Sequence, residues 1–556
     1  MDNEAAPIDR PRATSAAATR AAVEALAGPL IAALAAALLL AAAFPPLSYS
    51  WLAWPALLPL AWLMCRRDAV PEIYFAALVG GIVFHAVALD WIRTSYGGSG
   101  LDGPRAAMWV LTAAAGGAFW LPAVAIGRML VVRRGWPLVA ALPVSWLAME
   151  YLRKTLPALV DRTGFPWLQL GATLADSTHL AQVADLAGSW ALTLLVASTA
   201  GAVGDVLFRG QRRMLLVPAA LLVACLGYGA WRLNTYDPAE GPVVYLVPPD
   251  VQPWHVALPP TAARTADGGA LLLWSEAAYD HTVFLEPPAS DAQGPLSAQA
   301  AGHLPGNSGA RWREAIDRLE ECASRTGAAV LTGCLRLDAQ SPRVVRYNAA
   351  VACTPEGGFV GHYDKARPVP WSEFTPSARI ERWLGTGSQR LRQGAVHPVF
   401  ALTGPWRCAP TICYDSAFPE VHQAWFEGHD PPDYFAVLSA EGADRSGALK
   451  DLMLGQSRLR AIETRRALVR NVEFGTSGIV DACGRVVQRF DGIEQAQSTE
   501  PIRLGPLPID RRTSLYTRLG DWLPHLALVA AILGLVVRPH RPTRAAAWRG
   551  WYTFHV

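Results

Sequence analysis

Three reactive residues follow apolar runs that are typical of buried strands, and together they could attack an acyl carbon. Glu276 follows LLLWS, Lys365 follows GHYD and Cys413 follows APTI. A cysteine thiolate is a strong nucleophile toward acyl groups, a carboxylate can take up and return its proton, and an ammonium group stabilises a thiolate or an oxyanion. Taken singly, such a Cys is more often a core residue, and such a Glu or Lys is more often a solvated strand end. The prediction therefore depends on finding all three in one chain.

The other cysteines and the histidines do not indicate a metal site, a disulfide framework or a Cys/His pair. The eight cysteines are irregularly spaced, and no two of them form the CxxC pair that is typical of zinc sites. His362 precedes Lys365 and His422 follows the Cys413 segment, but neither stands at a comparable strand end. We therefore expect no metal and no organic cofactor.

Residues 238–518 alternate between strand-like and helix-like patterns, and these elements would position the three reactive residues. Short apolar runs bounded by turns predict strands, and amphipathic patterns predict helices at 310–326 and 447–466. The expected strands are 243–250, 270–278, 328–337, two within 346–368 around PEGG, one opening 407–421, 433–440, and a pair within 468–490 around a turn at Cys483–Gly484. Mixed strands and helices in this order predict a two-layer or sandwiched α/β domain.

The rest of the chain is apolar enough to form a membrane bundle. Of all residues 52% are hydrophobic and 17% are charged, the mean hydropathy is +0.20, and the 21 tryptophans are a residue type that favours membrane interfaces. A span needs about 20 mostly apolar residues. Eight candidates are 27–44, 51–65, 73–92, 107–130, 136–151, 187–208, 214–232 and 521–537. The second and fifth candidates are short enough to be re-entrant segments. The first candidate could instead be the apolar core of a signal peptide.

Basic residues predict the orientation of these spans. If the N-terminus is cytoplasmic, the inside segments carry fifteen basic residues and the short outside loops carry five. Cytoplasmic loops are enriched in Lys and Arg, so the bias predicts a multi-pass protein of the cell (inner) membrane with its soluble domain on the periplasmic side. The predicted order is a cytoplasmic tail 1–26, seven spans in 27–235, the soluble domain 238–518, a span 521–537 and a cytoplasmic tail 538–556. The net charge of +3 gives no indication of a nucleic-acid partner.

A bundle of eight helices is more than a passive anchor needs. A transporter is the main alternative, and it would require ionisable groups at mid-depth in the membrane. Asp90, Glu150 and Asp205 instead lie near the ends of predicted spans. This placement favours a bundle that lines an access path for lipid.

Four segments resemble the apolipoprotein N-acyltransferases, which are membrane-embedded members of the nitrilase superfamily. They are YDKARPVPWSEFTP (363–376), GFPWLQLG (164–171), ICYDSAFPE (412–420) and QSRLRAIETRRALVR (456–470). The second segment lies outside the nitrilase-like part, so the resemblance covers nearly the whole chain. It implies an αββα sandwich that stands on the outer face of an eight-span helical bundle.

The resemblance also implies a reaction and roles for five residues. The family moves an acyl chain from a membrane phospholipid onto a cysteine as a thioester, and then onto the α-amino group of the diacylglyceryl-cysteine that begins an apolipoprotein. Cys413 matches the nucleophile, Glu276 the general base and Lys365 the residue that stabilises the oxyanion and the thiolate. Glu373 matches a supporting acid, with a surface acid as its alternative, and Tyr414 matches the residue after the nucleophile.

Several positions depart from the family pattern and leave the acceptor open. Where the family usually has Asn-Asp-Ala-Trp-Phe, this chain has Ala440-Glu441-Gly442-Ala443-Asp444. Asp415 stands where the family usually has Glu, and Glu473 stands where it has Asn. Glu441 and Glu473 would add charge around the site. The alternatives are therefore the same chemistry on a different amine or amide acceptor, or an amidase that uses water.

Overall fold

The computed structural model describes most of the chain as a helical bundle joined to an α/β domain. The described residues are 14–94, 102–161, 164–258, 269–278, 283–284, 312–338, 345–370, 372–375, 379, 382, 391–428, 430–442, 446–491 and 498–537. The tail predicted at 538–556 and the first 13 residues of the tail predicted at 1–26 lie outside them. The domain boundaries derived from the sequence stay predictions.

Each of the first seven predicted spans coincides with helix. The helices are α1 Thr14–Ala43, α2 Leu58–Cys65, α3 Val70–Ala88, α4 Asp102–Ala118, α5 Trp120–Arg128, α6 Leu138–Thr155, α7 Trp190–Arg209 and α8 Leu216–Asn234. Among the described residues, five segments are long and apolar enough to cross a membrane: 24–43, 70–94, 105–133, 190–209 and 212–234. The segments 50–65 and 522–536 are shorter apolar helices. The fold class of a multi-helix apolar bundle with an α/β domain is confirmed.

Small residues and buried acids hold the bundle together. A Cβ placed on Gly81 would collide with the backbone of Gly117, so α3 and α4 pack with their backbones in close approach. The Asp205 carboxylate accepts hydrogen bonds from the backbone N–H groups of Leu138 and Val139 at 3.0 and 2.9 Å, and so caps the start of α6. This acid therefore has a structural use near a helix end.

The soluble part contains two sheets. Their strands are β1 Ala239–Leu246, β2 Ala270–Leu273, β3 Val283–Phe284, β4 Ala329–Asp338, β5 Val345–Thr354, β6 Gly358–Asp364, β7 Phe400–Thr403, β8 Trp406–Ile412, β9 Tyr434–Ala440, β10 Ala467–Glu473, β11 Thr476–Val480, β12 Val486–Asp491 and β13 Ile502–Ile509. One sheet has the order β13-β1-β2-β4-β5-β6, with β3 beside β4, and the other has the order β12-β11-β10-β9-β8-β7.

The two sheets pack face to face between outer helices. Alternate residues of β1 enter two different cores: Val244 and Leu246 join the large core that contains residues of both sheets, whereas Val243 and Tyr245 join the core beneath α9, Trp312–Thr326. Side chains alternate between the faces of a strand, so both faces of this sheet are covered. Two further helices, α10 Pro419–Ala424 and α11 Ala448–Thr464, pack on the second sheet. The last helix of the described residues is α12, Trp522–Val536. This is the expected αββα sandwich.

One strand assignment from the sequence is wrong. The segment 468–490 forms three strands, β10, β11 and β12, rather than a pair. The turn at Cys483–Gly484 joins β11 to β12 as expected, but an earlier reversal at Phe474–Gly475 separates β10 from β11. Phe474 has a φ of +61°, in the left-handed region where aromatic residues are rare, so the turn signal at this reversal is limited to the neighbouring Gly475. The strands β7 and β13 also carry no strong signal.

Candidate active site

The strand directions explain why the three predicted residues meet. β2 and β4 are parallel, and β6 runs in the same direction because β5 is antiparallel to both β4 and β6. Glu276 and Lys365 therefore follow strands whose carboxyl ends lie at one edge of the first sheet. Cys413 follows β8 of the second sheet, which is parallel to β9. The carboxyl ends of strands are the usual place for a ligand site in α/β folds.

Lys365 is the centre of the polar cluster. Its Nζ donates to Glu276 Oε1 at 2.8 Å and to Glu373 Oε1 at 3.0 Å, and the side chain is 1% exposed. Burial acts to lower the pKa of Lys365, but the two carboxylates outweigh it and hold this pKa well above its usual value. The site therefore contains a fixed ammonium group. Glu373 lies inside the site and is not a surface acid.

Hydrogen bonds fix both carboxylates around the ammonium. Asn348 of β5 donates from Nδ2 to Glu276 Oε1 at 2.7 Å and to Glu373 Oε1 at 2.8 Å. The other oxygen of Glu276 accepts from the backbone N–H of Ala440 at 2.9 Å. The other oxygen of Glu373 accepts from the N–H of Val369 at 2.6 Å. Both acids are therefore preorganised, which a proton acceptor and its support require.

Cys413 is held in a strained backbone conformation at the end of β8. It opens a short 3-10 turn, Cys413–Ala417, with a φ of +46°, a region that costs energy for a residue with a side chain. Its Sγ lies 3.9 Å from the carbonyl oxygen of Ala440. Burial and the charge of Glu276 raise the pKa of the thiol, while Lys365 lowers it less. The resting group is therefore a thiol, and a base is needed to form the thiolate.

Asp415 ties the cysteine turn to the lysine segment. Its carboxylate accepts from the Ile412 N–H at 3.1 Å, from the Tyr363 hydroxyl at 2.8 Å and from the Arg367 N–H at 2.8 Å. Burial raises the pKa of Asp415 to about 6, although Lys365 and these donors act to lower it. The shorter acid at this position thus still organises the site, and the departure from Glu leaves a bonded carboxylate there.

Tyr414 connects the site to the bundle. Its ring centroid lies 5.6 Å from that of Trp167, in the segment GFPWLQLG, and 4.9 Å from that of Phe418. Trp167 in turn meets Trp91 edge-on at 5.5 Å. An aromatic surface therefore leads from the helical bundle to the residue beside Cys413.

The two extra acids have different environments. Glu441 is buried and forms an ion pair with Arg470 of β10. The sequence suggested that Glu441 adds charge around the site, but this partner compensates its charge. Burial raises the pKa of Glu441 to about 7. Glu473 is only half-buried, and burial, Asp250 and Glu276 raise its pKa. Glu473 is therefore the extra acid that bears on the site. Ala443 lies outside the described residues, as does Asp444.

Sequence reasoning missed Asn348 and the organising role of Asp415. Asn348 is a polar residue in the apolar run NAAVAC. Its backbone carbonyl oxygen accepts a hydrogen bond from the backbone N–H of Lys365 at 2.8 Å. Counting outward from the PEGG turn places the two residues beside each other, so this signal was available. The bonds of Asp415 join segments about 50 residues apart, and no local pattern predicts them.

Two family models match consecutive parts of the chain. The apolipoprotein N-acyltransferase N-terminal domain matches residues 36–202, and carbon-nitrogen hydrolase matches residues 264–497. The first covers the bundle from within α1 to within α7, including the segment of Trp167, and the second covers Glu276, Lys365 and Cys413.

Several relatives align with the chain over most of their own length. The apolipoprotein N-acyltransferase of Rhodopseudomonas palustris is 28% identical over 88% of this chain and 92% of its own length. The protein of that name from Geobacter metallireducens is 26% identical over 87% of this chain and 90% of its own length. The one from Methylococcus capsulatus is 28% identical over 91% of this chain and 95% of its own length. With both models matched in order and relatives aligned over most of their length, the chain is similar to the apolipoprotein N-acyltransferases in both its bundle and its α/β domain.

Proposed function

We propose that this protein transfers an acyl chain from a membrane phospholipid to the α-amino group of the diacylglyceryl-cysteine of an apolipoprotein. The observation that carries the proposal is the cluster around Lys365, in which a buried ammonium joins Glu276 and Glu373 beside the strained Cys413. Apolipoprotein N-acyltransferase is the name of the aligned relatives.

The first half-reaction forms a thioester on Cys413. Glu276 accepts the thiol proton while Sγ attacks the ester carbonyl carbon of the phospholipid. The Lys365 ammonium stabilises the negative charge that develops on the carbonyl oxygen. The carbon–oxygen bond of the ester then breaks, and Glu276 returns the proton to the departing alkoxide. The products are the acyl-enzyme and a lysophospholipid.

The second half-reaction consumes the thioester. The neutral α-amine of the acceptor attacks the thioester carbonyl carbon, and Glu276 takes the proton that the new amide nitrogen must lose. The carbon–sulfur bond breaks, Lys365 stabilises the leaving thiolate, and the proton returns to sulfur. Atoms and charge balance without a cofactor.

Access from the bilayer is part of the proposal. The aromatic contacts of Trp91, Trp167 and Tyr414 give acyl chains an apolar path from the bundle to the nucleophile. The fifteen basic residues on one side and five on the other support an inner-membrane protein whose soluble domain faces the periplasm. On that side an exported apolipoprotein meets phospholipid of the outer leaflet.

A different amine acceptor is the second candidate, and one residue favours it. Glu473 places a half-buried carboxylate near Glu276, at a position where the family resemblance implies a neutral Asn. A negative charge there would favour an acceptor with an additional positive charge near its amine. Competition between a diacylglyceryl lipopeptide and a lysine-rich variant of it tests this preference.

The decisive experiment measures the product directly. The full chain is reconstituted in phospholipid vesicles with a synthetic diacylglyceryl lipopeptide, and intact mass spectrometry follows the addition of one acyl chain. We expect the product from the unaltered protein and none from Cys413→Ala. Cys408→Ala is the matched control, because Cys408 lies on β8, the strand that Cys413 follows, and is fully buried. An acylated lipopeptide from the Cys413→Ala protein would contradict the proposal.

A further inference from the structure

A cavity of about 610 Å³ lies between the bundle and the catalytic domain. Its bundle side is formed by the end of α1, the loop that follows it and residues 172–178, and its domain side by α11 and β12. Its described lining includes neither Cys413 nor Lys365. The proposed reaction therefore leaves this cavity without a use.

Three guanidinium groups line the domain side of the cavity, on Arg458, Arg485 and Arg489. Arg458 donates from Nε to the carbonyl oxygen of Gly484 at 2.8 Å, and Arg485 donates from Nε to Asp481 at 2.7 Å. Arg458 also pairs with Asp176 of the bundle side. Each guanidinium has five N–H donors, so these bonds orient Arg458 and Arg485 and leave further donors. Planar guanidinium groups match the geometry of a phosphate and bind it through paired hydrogen bonds.

The lining also contains apolar side chains, and exposed aromatic residues lie next to it. Phe44 on the bundle side and Leu452 on the domain side belong to the lining, so a ligand would contact carbon as well as the arginines. The loop after α1 exposes Tyr49 and Trp51, which are 51% and 66% accessible, and Ser48 and Ser50 of the same loop line the cavity. Tyr and Trp are enriched where a bilayer meets water. This arrangement puts the cavity at the depth of lipid headgroups.

We propose that this cavity is a second lipid site, which binds the phosphodiester of a membrane phospholipid that is not the acyl donor. The arginines hold the phosphate, and the apolar side chains of the lining hold the start of the acyl chains. Asp176 and Asp451 also line the cavity, and they give hydrogen-bond acceptors to a hydroxyl or ammonium group of the headgroup. Free inorganic phosphate has no acyl chain to contact the apolar side chains of the lining, so the lining favours a lipid over the free ion.

A lipid in this cavity would join the two halves of the molecule near the active site. Leu452 and Arg458 belong to α11, and Ser457 of the same helix accepts a hydrogen bond from Arg470. Arg470 in turn pairs with Glu441, which follows β9. The bound lipid would therefore fix α1 against the helix that supports this ion pair. This goes beyond the proposed function, because it concerns a lipid that is not consumed.

The test is photolabelling of the full chain in nanodiscs, with Cys413→Ala as the background to prevent turnover. The probe is a phosphatidylglycerol with a photoreactive group at its glycerol backbone, and labelled peptides are mapped by mass spectrometry. We expect label within 43–50 and 448–464. We expect the double variant Arg485→Gln/Arg489→Gln to reduce this labelling about tenfold, which is the effect of losing one charge-assisted hydrogen bond. Arg503→Gln is the matched control, because Arg503 is an exposed arginine of β13 outside the lining.

The outcomes separate the two proposals. Undiminished labelling in the double variant would overturn the second lipid site, and so would equal labelling by a phosphate-free photoreactive diacylglycerol. Complete competition by inorganic phosphate in molar excess would assign the cavity to the free ion and overturn the lipid. Labelling of peptides near Trp167 tests the proposed path of the acyl donor. If the cavity is labelled and the Trp167 segment is not, the second lipid site is supported and the proposed access to Cys413 is contradicted.

Discussion

Replacing Lys365 by Met tests whether the buried ammonium acts in the chemistry or only neutralises its neighbours. Lys365 is 1% exposed and bonds two carboxylates, at 2.8 and 3.0 Å. Removing one partner from such a buried cluster costs about 3–5 kcal/mol, because the remaining charges lose their compensation. Lys365→Met should therefore lower the free energy of unfolding by this amount. It should also lower acyl transfer by about 10²–10³-fold, as the loss of an oxyanion donor does.

A second substitution separates the two effects. Glu373→Gln removes one of the two carboxylate charges, and its amide oxygen can still accept the N–H of Val369. In the double variant Lys365→Met/Glu373→Gln we expect the free energy of unfolding to recover by at least about half, because one uncompensated charge is gone. Acyl transfer should stay about 10²–10³-fold below that of the unaltered protein.

The assays are chemical denaturation and the rate of lipopeptide acylation, measured on the same preparations. Glu373→Gln alone is the control, and it should keep most of its activity because Lys365 and Glu276 remain. If the double variant recovered its rate together with its stability, Lys365 would be a structural neutraliser, and its role at the oxyanion would be refuted.

The site and the spans lead to four further predictions. Glu276→Gln should lower the rate of lipopeptide acylation by about 10²–10⁴-fold without loss of fold, because proton transfer is removed. In a separate experiment, an acyl thioester analogue should label Cys413 and no other cysteine. Since burial raises the folded pKa of Glu441 from 4.5 to about 7, stability should fall as the pH rises from about 4.5 to 7. Denaturation of Glu441→Gln should show a flatter pH dependence, with Glu500→Gln, an exposed acid, unchanged. A reporter that works only in the cytoplasm should be active after Val556 and silent near Gly361, and an active Gly361 fusion would reverse the proposed topology.

The meeting of Glu276 and Lys365 could be predicted from strand direction alone, whereas Cys413 reaches them only through the packing of the second sheet on the first. Each follows an apolar run, and parallel strands bring such positions to one edge. The strands themselves were found within a few residues, since buried strands in this fold are continuous apolar runs. Their catalytic roles stay predictions, because the geometry brings the groups together without substrate.

The contacts between distant segments could not be predicted in the same way. The Glu441 carboxylate looked like an added charge in the sequence, because its partner Arg470 lies on a neighbouring strand 29 residues away. The reversal at Phe474 has no turn residue at its left-handed position. Such features are fixed by packing in three dimensions, which overrides local preference.

The order of the chain gives a physical reason for combining a bundle with a hydrolase-like domain. An acyl chain is soluble in the bilayer, whereas a thiol with an ammonium and two carboxylates must be kept in a fixed polar cluster. In this structure the two environments meet at one ring contact, where Trp167 of the bundle side packs on Tyr414, the residue after Cys413. Replacing the aromatic surface would leave the polar cluster complete but separate it from its lipid. The segment GFPWLQLG is therefore the part of the bundle on which the proposed access of lipid to Cys413 depends.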